Sequence, residues 1–121
     1  TMTNEELDHW IAEKVMGWHF VSAGAAHPQA AWCIGDDRDD VIARLFYEWE
    51  PTVDIAQAIE AAEKALKDRR IERWFIGHSI DGMPNRGVEV LDGPVITDSR
   101  GEIDDAEFLC RALCIAMAGD S

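Results

Sequence analysis

TVDIAQAIEAAEKALKDRRIERWFIGHSI, residues 52–80, is the stretch from which the fold can be read. Thr52 and Asp54 are candidate N-caps for an apolar series, and Ile55, Ile59, Ala62 and Leu66 recur at offsets of four, three and four, the spacing of one buried helical face. Glu60, Glu63, Lys64 and Lys67 fill the opposite, wet side. After Asp68-Arg69-Arg70 the period changes to two, with Trp74, Ile76, His78 and Ile80 alternating with Arg73, Phe75, Gly77 and Ser79. The stretch therefore predicts a helix, a basic turn and a strand.

Working outward, Thr3 and Glu6 are spaced as a capping box, which starts a helix expected over about 4–16. Leu7, Trp10, Ile11, Val15 and Trp18 form its apolar stripe, and Gly17 is placed to end it in a left-handed conformation. Small residues and the breakers Gly24 and His27-Pro28 make 21–29 a loop, and Ala30 to Ile34 reads as a short strand. Gly35 to Asp40 is a turn or acidic loop. Val41 to Trp49 fits a helix through Val41, Ile42, Leu45, Phe46 and Trp49, and a strand through Val41, Ala43, Leu45 and Tyr47; Pro51 ends either one. Downstream, Asp81 to Gly87 is a turn-rich loop, with strands at about 86–91 and 95–97 completing an antiparallel meander. Asp104 caps the last helix with Glu107 three residues on, and Ile103 is placed to staple against Phe108. Leu109, Leu113 and Met117 form its stripe, and Gly119 ends it.

These elements predict an α+β fold in a single domain, 1–121: a small, mainly antiparallel sheet of about four strands with about three helices. Hydrophobic residues make up 47% of the chain, which is ordinary for a globular protein and argues against disorder.

Twenty-four acidic residues against eleven basic give a net charge of −13, which weighs against direct nucleic-acid binding and against an anionic membrane surface. Acid gathers at Asp36, Asp37, Asp39 and Asp40, at Glu48, Glu50 and Asp54, and from Asp98 to Glu107. Five of the eleven bases, Lys64, Lys67, Arg69, Arg70 and Arg73, fall within ten residues. No apolar run is long enough to span a membrane and no signal peptide is recognisable, so a cytoplasmic protein is expected. The odd number of cysteines, Cys33, Cys110 and Cys114, two of them four apart on an apolar helix, fits buried free thiols in a reducing compartment.

Chemistry-bearing constellations are scarce. Cys110 and Cys114 with His78 or Cys33 would be an incomplete metal set, and two small core residues explain the pair better. The Asp36 to Asp40 cluster lacks the spacing of a calcium loop. Ser22, Ser79 and Ser99 sit in no nucleophile motif, and His78 and Ser79, adjacent on a strand, would point to opposite faces. The glycines are dispersed at turns rather than gathered in a phosphate loop. No enzyme, metal or cofactor is therefore expected.

The segments Asn4-Glu5-Glu6-Leu7-Asp8, Ala12-Glu13-Lys14-Val15-Met16-Gly17-Trp18, Pro51-Thr52-Val53-Asp54-Ile55-Ala56-Gln57-Ala58 and Phe108-Leu109-Cys110-Arg111-Ala112-Leu113 resemble the small bacteriophage and prophage proteins of the phage ABA sandwich domain family. The resemblance covers most of the chain, departing from it at the insertion 21–40 and the loop around Pro84. It implies a three-layer α/β/α sandwich and a phage origin, and it brings no catalytic residues.

Function is then expected to lie in binding. In the first reading, Asp36, Asp37, Asp39, Asp40, Glu48 and Glu50 imitate duplex phosphates and occupy the basic surface of a host protein, for instance a CRISPR effector, in the cytoplasm of an infected or lysogenic bacterium. The alternative is a sponge that holds an anionic nucleotide signal on Lys67, Arg69, Arg70 and Arg73 together with Arg86, Trp74 stacking on the base. A phage structural or assembly accessory role and a homodimer stay open.

Overall fold

A computed structural model describes residues 2–24, 28–35, 41–98 and 101–118. The acidic cluster Asp36 to Asp40, His27, Ser99 and the expected stop at Gly119 lie outside the described residues.

The fold is α+β. Its helices are α1 (Asn4–Trp10, continuing as a π-helix over Ile11–Val15), α2 (Ile55–Lys67) and α3 (Asp105–Ala118). The described strands form two antiparallel three-stranded sheets. The first contains β1 (His19–Val21), β2 (Ala31–Ile34) and β3 (Val41–Leu45), and the second β4 (Ile71–Phe75), β5 (Arg86–Val90) and β6 (Val95–Asp98), each in chain order. The expected single sheet of about four strands is corrected, among the described residues, to two sheets and six strands. Two stretches account for most of the difference. His19–Val21 is too short to show a period but pairs with β2 in the register His19–Cys33, Phe20–Trp32, Val21–Ala31. Val41–Trp49 carries two signals because it is two elements, the strand β3 followed by a single 3₁₀ turn, Phe46–Glu48.

Local chemistry sets the helix ends. The Thr3 main-chain N–H donates to Glu6 Oε1 at 3.1 Å, and Glu6 N–H returns a bond to Thr3 Oγ1 at 3.2 Å. Asp54 caps α2 by accepting from Gln57 N–H at 3.2 Å. The first helix does not run evenly to residue 16. Beyond Trp10 it widens, Met16 N–H reaching back five residues to the Ile11 carbonyl at 3.0 Å, before Gly17 takes a left-handed φ of 75°.

The buried face of α2 is also rotated from its expected position. Ala58, Ala61, Ala62 and Ala65 are buried, Ile59 and Leu66 flank them half-buried, and Ile55 is exposed. Alanines allow the α2 backbone to come close to α3, whose Leu109, Cys110 and Leu113 belong to the same core; larger side chains would hold the helices apart. On its other side α3 covers β4, β5 and β6, and α1 packs on α3. Arg111 fastens that contact, donating to Glu107 at 2.7 Å, to Asn4 Oδ1 at 2.9 Å and to the Met2 carbonyl at 3.2 Å.

Strand β4 stops at Phe75 rather than running to Ile80. Gly77, Asp81 and Gly82 permit a tighter path, in which His78 bridges to Pro84 and Ser79 N–H bonds the Met83 carbonyl at 2.8 Å, leaving Ile80 fully exposed. The meander β4–β5–β6 itself matches the expectation. Gly87 sits opposite Phe75, where a Cβ would lie 2.7 Å from the ring.

Candidate functional site

The bases among the described residues do not form a free positive patch. Among the described residues, Lys64 pairs with Asp68 at 2.5 Å, Arg44 with Glu60 at 3.0 Å and Arg111 with Glu107 at 2.7 Å. Arg73 pairs with Glu89 at 3.2 Å and lies over the Phe75 ring. Arg70 donates to the Lys14 carbonyl, which spans the end of α2 and the end of the π-helix. Lys67 and Arg69 are exposed, Arg69 with a positive φ of 59° at the end of α2.

Arg86, grouped with these bases by sequence, belongs to the interior instead. Its side chain is 2% exposed, bonded to Asp105 at 2.7 Å, to Asp98 and to the Ile103 carbonyl, with the Phe108 ring 4.9 Å beneath. Burial works against its charge, yet the two carboxylates hold its pKa above the ordinary value. Two partners distant in sequence explain why neither spacing nor composition revealed this placement.

The acid is used differently. Glu48 and Glu50 are exposed on either side of the buried Trp49, and their carboxylates make no ion pair with a described residue. Their backbone is braced: Gln57 Nε2 donates to the Glu48 carbonyl at 2.7 Å, and Glu50 N–H donates to Gln57 Oε1 at 2.7 Å. Glu5, Glu13, Glu63 and Glu72 are likewise exposed.

Sequence reasoning passed over the outer side of the first helix. A groove of about 410 Å³ lies there, lined by Glu5, Glu6, His9 and Trp10 from α1 and by Glu13 and Lys14 from the π-helix, with Met2 at one end. The change from α to π winding thus falls inside the groove, and such widened turns recur at functional positions. Trp10, expected in the core stripe, is only half-buried. Glu6 is already committed to Thr3, and that bond holds its carboxyl below the ordinary carboxylate value.

His9 joins the groove to the first sheet. Its ring meets Trp32 and Phe46 edge-on, each at 5.2 Å between centroids, and Phe20 at 6.5 Å. Trp32 is buried, but Phe20 is 45% exposed, Phe46 36% and the neighbouring Tyr47 67%. The surface is therefore an acidic groove running into exposed aromatic rings.

No family model, curated protein or solved structure matches the chain. The reading of this surface thus stands on its own chemistry. Among the described residues no three His, Cys, Asp or Glu side chains converge as a metal site, and no helix is long and apolar enough to cross a membrane. The three cysteines are buried, and burial, first among the causes, drives the Cys110 thiol far above its ordinary pKa.

Proposed function

We propose that this is a small acidic bacteriophage accessory protein that acts by binding rather than catalysis, occupying the basic nucleic-acid-facing surface of a host defence protein in the bacterial cytoplasm. The three-layer sandwich implied by the family resemblance belongs to the same reading. The observation that carries it is an asymmetry of pairing: Arg44, Lys64, Arg73, Arg86 and Arg111 are spent on internal ion pairs, while Glu5, Glu13, Glu48, Glu50, Glu63 and Glu72 face solvent without one among the described residues. With a net charge of −13, the chain attracts a basic surface and repels nucleic acid itself. The nucleotide sponge fits less well, because Arg70, Arg73 and Arg86 are engaged and Lys67 and Arg69 alone do not enclose an anion.

The test is capture of a partner from bacterial host lysate on the tagged chain, washed at roughly 0.1 M and 0.5 M salt, since screening weakens charge-driven contacts. The expected partner is a nucleic-acid-handling protein, released by the higher salt, displaced by duplex DNA, and lost from the double variant Glu48→Lys/Glu50→Lys. Retention indifferent to salt, duplex and charge reversal would overturn the reading.

A further inference from the structure

We infer that the groove on the first helix, with the rings beside it, docks an arginine-bearing segment of a partner protein: the guanidinium lies over Trp10 between Glu5 and Glu13, and an adjoining apolar side chain rests on Phe20 and Phe46. This deepens the binding reading above and rests on it.

Charge selects the occupant first. Glu5 and Glu13 are exposed and line the groove with no ion pair among the described residues, whereas Glu6 is held by the Thr3 N–H. A single base, Lys14, stands at the π-helical end, so an anion would meet three carboxylates against one ammonium. A cation entering from the Glu5 side avoids Lys14 and reaches the indole of Trp10. Guanidinium suits this environment better than ammonium, because it is planar, weakly hydrated, able to stack on an aromatic face and able to offer N–H groups to two carboxylates together.

The rings argue for a protein segment over a free small cation. His9 lines the groove and also contacts Phe20 on β1 and Phe46 on the 3₁₀ turn, so the cation site adjoins an exposed aromatic surface. A small cation would leave that surface wet, and a purely phosphate-like mimic has no use for it. A basic residue next to an apolar one covers both halves at once. Aromatic residues and arginine are enriched at protein interfaces and among their energetic hot spots.

The experiment titrates the isotope-labelled full chain with the peptide acetyl-Gly-Arg-Phe-Arg-Gly-amide, followed by NMR, with acetyl-Gly-Glu-Phe-Glu-Gly-amide and tetramethylammonium as comparison probes. Saturable shifts are expected at the Trp10 indole N–H and at residues 5–14, Phe20 and Phe46, from the arginine peptide only. Glu5→Gln/Glu13→Gln, on the surface, and Trp10→Leu should each weaken that binding by at least about tenfold, while Glu48→Lys/Glu50→Lys leaves the indole shift in place. Absent saturation, shifts spread evenly over the acidic surface, or equal shifts from tetramethylammonium would each overturn the proposal. Salt-labile host capture that survives Glu5→Gln/Glu13→Gln but not Glu48→Lys/Glu50→Lys would refute the groove alone; loss of neither would refute the binding reading as well.

Discussion

Trp49 donates its indole N–H to the main-chain carbonyl of Asp8 at 3.0 Å, linking the turn after β3 to the first helix across 41 residues of sequence. Its ring meets Trp18 edge-on at 4.7 Å, and the Arg44 guanidinium lies over it. Thr52 N–H adds a bond to Asp8 Oδ1 at 2.9 Å, so one residue of α1 anchors both sides of Glu50. The acid at Glu48 and Glu50 is thereby carried on the same rigid body as Glu5 and Glu13, a precondition for one partner to meet both.

Trp49→Phe keeps most of the buried ring and removes the N–H donor. The expected cost is about 1–2 kcal/mol, for the hydrogen bond and for part of the ring volume. Urea denaturation checks it, and a loss under about 0.3 kcal/mol would mean that the link adds nothing beyond packing.

Asp8 gives a pH signature. Burial pushes its carboxyl above the ordinary 3.8, against the hydrogen bonds from Thr52, and the nearby Glu50 charge pushes the same way. The folded chain then binds this proton more tightly than the unfolded chain does. Its contribution to stability falls as pH rises from the ordinary aspartate range through the raised value, and is constant above it. Asp8→Asn removes the charge and keeps an oxygen for Thr52 N–H, so its stability relative to the parent should increase across that window and then level off. Paired denaturation curves from about pH 3 to 7 measure this; a difference that shrinks with rising pH would contradict it.

Arg69 holds a left-handed conformation, φ 59°, where α2 gives way to β4. A non-glycine residue there costs roughly 1 kcal/mol, and glycine takes it without that cost. Arg69→Gly should therefore raise stability by about 0.5–1 kcal/mol in thermal or urea unfolding, despite the greater freedom glycine gives the unfolded chain. No gain, or a loss, would show that the side chain contributes to the fold in a way its exposure does not reveal.

Local signals read well from sequence because their partners are three or four residues away: the Thr3–Glu6 box, the Asp54 cap, the left-handed Gly17 and the β5–β6 meander all appear where they are expected. What failed depended on distant partners. The spacing of Ile55 predicts a core position, but the close approach of α3 turns the alanine face of α2 inward, and β1 is a strand through its pairing with β2. The same distinction governs the site. Glu48 and Glu50 are solvent-facing, as acidic residues usually are, but the groove needed Trp10 displaced outward and the helix widened after it, neither of which leaves a motif.

Arg86 offers the sharpest contrast between composition and placement. Its guanidinium fills the space between Asp98 on β6, Asp105 on α3 and the Ile103 carbonyl, above the Phe108 ring, and so joins the second sheet to the last helix. Arg86→Leu would leave two carboxylates facing each other without their cation, one at 21% and the other at 31% exposure, and should cost about 3–5 kcal/mol. Arg86→Lys keeps the charge, but an ammonium cannot reproduce a planar fork that reaches two carboxylates and a carbonyl together, so much of the loss should remain. Urea denaturation of the two variants separates charge from geometry. Full recovery in Arg86→Lys would assign the role to charge alone, and stability unchanged in Arg86→Leu would show that the pair of carboxylates is tolerated without it. The same measurement bears on function: an arginine that holds the sheet to the helix is not available to grip a nucleotide.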